Sequence, residues 1–154
     1  MNLTYEQLEP IIRKKISEGG KVIIEPKGTS MLPIIIQGED KVELSPVSGQ
    51  LKKYDIVFYK RRNGKFVLHR IIAVRKNDYI LRGDNQIINE PGITDDMIIA
   101  VATAIIKDSK VIKTNDREFI KYSKKQVRKK TMIKMYLDVR KRIASIIKMN
   151  KAQK

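Results

Sequence analysis

The dipeptide Asn63-Gly64 is the strongest constraint on what this chain can fold into. It stands between two apolar runs, Asp55-Ile56-Val57-Phe58-Tyr59 and Lys65-Phe66-Val67-Leu68-His69-Arg70-Ile71-Ile72. Both residues tolerate a left-handed backbone, which a tight turn between right-twisted strands requires, so the segment predicts a β-hairpin. The same signals recur along the chain. Val22-Ile23-Ile24, Asp40 to Leu44 (ended by Pro46), Tyr79 to Arg82 (entering the turn Gly83-Asp84-Asn85), Met97 to Ile106 and Val111-Ile112 all read as short strands. No helical pattern interrupts them between Lys21 and Lys113, which implies a mostly β, antiparallel core.

Helical spacing appears only at the two ends. Residues 4–18 read as an amphipathic helix: Thr4 can cap it, Leu8, Ile11, Ile12 and Ile16 share a stripe, and Gly19-Gly20 stops it. Pro10 falls inside, so a later start or a bend is expected. From Arg117 to Met149, Met132/Ile133, Tyr136, Val139, Ile143 and Ile146/Ile147 recur at helical spacing, as one basic helix or a pair. The expected organisation is an N-terminal helix over 1–20, a β domain over 21–114 and a basic helical tail over 115–154.

The formal net charge of +16 is concentrated in that tail. Residues 117–154 hold 14 Lys and Arg against Glu118 and Asp138, while residues 1–116 are nearly balanced. Such asymmetry speaks of partners rather than of fold. Three readings stay open for the tail: a solvated helix covering the sheet, an anionic membrane surface bound through 117–154, or nonspecific nucleic acid. Nucleic acid is the weakest, since only Tyr122 and Tyr136 offer stacking and no DNA-reading motif accompanies them.

Cysteine is absent and His69 is the single histidine, which excludes disulfides and thiolate metal sites and argues against a zinc centre. No metal or organic cofactor is implied. The longest apolar run, Met97 to Ile106, falls short of the roughly 20 residues that cross a bilayer. The first 20 residues mix Glu6, Glu9, Arg13, Lys14, Lys15 and Glu18 with apolar positions, unlike a secretory signal. A cytoplasmic chain, free or peripheral to a membrane, is the expectation.

Chemistry is carried by Gly28-Thr29-Ser30-Met31-Leu32-Pro33 and, 39 residues after the serine, by His69. A serine hydroxyl becomes nucleophilic when a base accepts its proton, and neutral imidazole suits that role. Gly28 permits an unusual backbone before Ser30 and Pro33 stiffens the exit. Such a turn can aim the hydroxyl out of the sheet and leave an N–H facing a developing oxyanion, each such donor lowering the barrier by about 3 kcal/mol. His69 then needs a partner to fix its tautomer, and Asp84 and Glu90 are the nearest downstream carboxylates.

These segments resemble the type I signal peptidases. Gly28 to Pro33 is similar to their SMxP nucleophile box, and Tyr54-Asp55-Ile56-Val57-Phe58 to their GDIV box. His69-Arg70-Ile71-Ile72 resembles the HRV box of the archaeal and endoplasmic-reticulum branch, and Gly83-Asp84-Asn85-Gln86 the GDNN box. The boxes occur in family order across about Lys21 to Ile106. The resemblance implies a β-rich serine peptidase of the signal peptidase/LexA-like clan, with Ser30 as nucleophile and His69 as general base. In that branch an acidic residue six positions after the GDNN aspartate completes the set. Here it is Glu90, with Asp84 either competing for that role or holding the loop.

Departures from the pattern shape the expectation. Tyr54 replaces a glycine, Gly28 stands where many signal peptidases carry an extra oxyanion serine, and no transmembrane anchor is evident. A serine endopeptidase acting on a peptide or small precursor protein, in the cytosol or at a membrane surface, reconciles these. The alternative is a noncatalytic binding module of the same fold whose tail holds anionic lipid, nucleic acid or an acidic partner. Several residues also have ordinary structural readings: Met31 as core filler, Asp84 as turn chemistry bonding its own backbone, and Glu90, beside Pro91-Gly92, as a solvated loop residue.

Overall fold

A computed structural model describes residues 4–108 and 110–152. Its elements run α1 (Tyr5–Ser17), β1 (Val22–Ile24), β2 (Asp40–Ser45), β3 (Ile56–Lys60), β4 (Phe66–Val74), β5 (Tyr79–Arg82), β6 (Glu90–Ile93), β7 (Ile98–Lys107), β8 (Lys110–Lys113) and α2 (Arg117–Ala152). The fold is mostly β, an eight-stranded sheet in the order β1-β2-β7-β3-β4-β5-β6, with β8 also on β7 and every pairing antiparallel.

The expected hairpin sets the register at the centre. Lys60 pairs with Phe66 and Val57 with His69, while Gly64 takes a φ of 85° and donates its N–H to Arg61 O. Strand β3 is buried on both faces, which is why its residues run apolar without alternation. Ile56 and Phe58 enter one core with Ile12, Ile16, Ile24, Met31, Val42, Leu44 and Phe119. Val57 and Tyr59 enter the other with Leu51, Ile71, Tyr79, Leu81 and Met97.

Helix α1 begins at Tyr5 and runs through Pro10. Thr4 and Gln7 form a reciprocal capping box, each side chain accepting the other's backbone N–H. The helix seats on the first core through Ile12 and Ile16, and the Tyr5 ring lies 5.5 Å from Phe58 and 6.0 Å from Phe66.

One expectation needs correction. Glu90-Pro91-Gly92 is not a solvated loop: it forms β6, where Leu81 pairs with Glu90. Proline and glycine mask the strand in sequence, yet both are tolerated on a sheet edge. Of the two forms left open for the basic segment, a single helix of 36 residues is found, and its beginning packs on the sheet. Phe119, Ser123 and Val127 are buried, and Arg82 donates to Val127 O at 3.0 Å.

What holds α2 on the sheet is a buried ion pair. Arg70, with no exposed surface, donates through Nε and Nη2 to the two Asp84 oxygens at 2.7 Å each. Its Nη1 donates to Ser123 Oγ at 2.6 Å and to Tyr54 O at 3.0 Å. Gln126 Nε2 donates to Asp84 O at 2.8 Å. Taking away one member strands a buried charge, a loss of about 3–5 kcal/mol. Asp84→Ala is therefore expected to lower unfolding free energy in urea by that amount. Asp78→Ala, which breaks the exposed pair with Arg75, should change it far less.

Candidate functional site

The Ser30 turn follows β1 and is built as the sequence demands. Gly28 has a φ of 92°, a conformation open to glycine, and its N–H points to the Gln37 side-chain oxygen. Residues 30–34 form turns, Ile35 N–H closes on Met31 O at 3.1 Å, and the Leu32–Pro33 peptide is cis. Thr29 and Pro33 are exposed, Ser30 is half-buried, and Met31 is buried in the first core while also lining the cleft beside Ser30. The Ser30 N–H has no hydrogen-bond partner among the described residues, so a donor is available beside its own hydroxyl.

The Gly83-Asp84-Asn85 turn clamps this segment from behind. Asn85 N–H donates to Ser30 O at 2.8 Å, and Asn85 Nδ2 to Thr29 O at 3.2 Å. Gly83 is required for room: a Cβ there would sit 2.6 Å from Ser30 O and 3.0 Å from Ser30 Cβ. Gly83→Ala is expected to push Ser30 out of position, seen as displaced amide resonances of residues 28–31 in an NMR spectrum that otherwise keeps its folded dispersion.

His69 comes from β4 and is 2% exposed. Ser30 and His69 line one cleft of about 200 Å³ together with Ile24, Met31, Phe58 and Leu68. Their side chains are not hydrogen-bonded to each other in this arrangement. Behind the imidazole, His69 Nδ1 lies 3.2 Å from Tyr59 Oη and 3.6 Å from Glu90 Oε2. Tyr59 Oη donates to Glu90 Oε2 at 2.7 Å, and Arg61 grips both Glu90 oxygens at 2.6 Å.

This chain fixes the tautomer. Burial pushes the Glu90 carboxyl up, but hydrogen bonds from Arg61 and Tyr59 outweigh it and hold it below its usual range, so the group is ionised and only accepts. Burial, then the bond to Glu90, pushes the Tyr59 phenol up, so it keeps its proton and directs it at Glu90. Its oxygen can then only accept from His69, which places the imidazole proton on Nδ1. The Nε2 lone pair is left free to act as a base.

Of the expected carboxylates, Glu90 therefore reaches the histidine and Asp84 does not, because Arg70 occupies both Asp84 oxygens. Tyr59 and Arg61 were not anticipated. Tyr59 was open to inference, since the Asn63-Gly64 turn sets Val57 opposite His69 and alternation puts Tyr59 on that face. Among the described residues, no group of three or more His, Cys, Asp or Glu side chains could hold a metal ion, and no helix is long and apolar enough to cross a membrane. No family profile, curated protein or solved structure matches this chain.

Burial takes the His69 pKa from 6.5 down to about 4, against the upward pull of Glu90. The contact with Glu90 is thus no salt bridge at neutral pH. Because the folded state resists the proton, the unfolded chain binds more of it between those values. The resulting stability is complete above pH 6.5 and is lost as pH falls toward 4, a difference of about 3 kcal/mol. Between pH 7 and pH 4 the unfolding free energy in urea should fall by about 3 kcal/mol more for the protein than for His69→Gln.

Proposed function

We propose that the protein is a serine endopeptidase of signal-peptidase-like mechanism. Ser30 Oγ attacks the scissile carbonyl of a peptide, and its proton passes to His69 Nε2. The Ser30 N–H faces the oxyanion. Collapse of the tetrahedral intermediate returns that proton to the leaving amine and leaves an acyl-serine. Water, deprotonated by the same imidazole, then releases the acid and restores the serine.

The observation that carries this reading is the Arg61–Glu90–Tyr59–His69 chain, which holds the imidazole in the one tautomer that offers Nε2, within the cleft that Ser30 shares. Glu90 acts through Tyr59 and is a positioning residue. Strand β1 ends the sheet, Ile23 is exposed on it and Ile24 enters the cleft, so an extended substrate can add there as a further strand. The modest volume of the cleft favours small side chains next to the cut.

A fluorophosphonate probe tests the reading. Covalent labelling should vanish in Ser30→Ala and slow by about a hundredfold or more in His69→Ala. The labelling rate should follow the free base of His69, half-maximal near pH 4 and level above it through neutrality. Tyr59→Phe and Glu90→Gln should slow labelling while leaving Ser30 modifiable. A folded protein that takes up no probe at any pH would overturn the proposal in favour of a noncatalytic binding module.

A further inference from the structure

Helix α2 turns one continuous face away from the sheet. In its first half the docking side carries Phe119, Ser123 and Val127. At about 100° per residue, the opposite side carries Lys121, Lys125 and Arg128. Further along, that same outward face changes character: Met132, Tyr136, Val139, Ile143 and Ile146 follow one another along about 20 Å, each more than half exposed. Arg140 and Arg142 border the apolar stripe on either side, and Lys134, Lys141 and Lys148 occupy the reverse.

We propose that this face binds an anionic lipid surface, with α2 lying in the plane of the interface and the β domain held on the water side. An apolar stripe bordered by guanidinium groups matches the boundary between acyl chains and phosphate headgroups, where long basic side chains bury their stems and keep their charge among the phosphates. The lysines and arginine that precede the stripe on the same face add attraction to anionic headgroups. The helix is too polar to cross a membrane, so it lies on the surface rather than through it.

Charge argues against the other occupants. Pairing with a second copy through the stripe would bring Arg140 and Arg142 against further basic residues. The described helix offers only Glu118 and Asp138 in return, engaged with Lys121 and Lys134. A nucleic acid would satisfy the basic residues and leave the Ile, Val and Met stripe in water.

The test is co-sedimentation of the full-length protein with vesicles. Binding to an equimolar phosphatidylglycerol–phosphatidylcholine mixture should exceed binding to phosphatidylcholine alone by about tenfold or more. The double variant Ile143→Asp/Ile146→Asp, and separately Lys125→Glu/Arg128→Glu, should each lose about tenfold, with thermal unfolding unchanged because all four side chains are exposed. Equal binding to both vesicle types, or full binding by the aspartate variant, would overturn the proposal. So would a dimer in ultracentrifugation that the aspartate variant abolishes without any vesicle binding, or duplex DNA binding that the same variant leaves intact. None of these outcomes depends on Ser30, so the peptidase reading stands or falls separately.

Discussion

A guanidinium with no exposed surface and the carboxylate it grips hold together parts of the chain that lie far apart in sequence. Arg70 follows His69 on β4, and Asp84 follows Gly83, whose missing side chain lets Ser30 pack against it. Ser123 brings α2 to the same guanidinium. Burying both charges costs several kcal/mol in solvation, and the cost is offset only where every donor and acceptor is met in good geometry. Here that condition couples helix, strand and turn: none can shift without exposing or stranding a charge. The serine and the histidine owe their shared cleft to this arrangement, although neither touches the ion pair through its side chain.

Around the imidazole a second balance operates. Glu90 alone would favour protonated histidine. Burial outweighs that pull, and Arg61, paired with the carboxylate, opposes it further, so the ring stays neutral well below pH 7. Tyr59 contributes to the orientation from beside the pair, its hydroxyl meeting both Glu90 and the ring. Orientation and basicity are thereby set by different groups. The result is a neutral imidazole in a fixed tautomer, lining the cleft that Ser30 also lines.

The long helix divides between two environments for a reason visible in its side chains. Its first turns bring Phe119, Ser123 and Val127 to the sheet at a spacing that meets one face. Past Thr131, Met132, Tyr136, Val139, Ile143 and Ile146 lie on the opposite side, so the helix does not bury them on its own domain.

Much of the fold was legible in the residues because its signals are local. Asn63-Gly64 set the central hairpin and Gly28 the turn before Ser30, and Thr4 marked the cap of α1, whose start at Tyr5 the capping box secures against the later start that Pro10 suggested. Strand β6 stayed hidden because Pro91 and Gly92 have poor strand propensity, and only pairing with β5 makes them one. The rival claims of Asp84 and Glu90 could not be separated along the chain either, as both follow His69 at similar distances. Tertiary structure decided between them: a cross-strand neighbour, Arg70, consumed one carboxylate, and the pleat that aims Tyr59 at His69 delivered the other. Local conformation is written in adjacent residues, whereas the partner of a buried charge is chosen by whatever the folded sheet brings within reach.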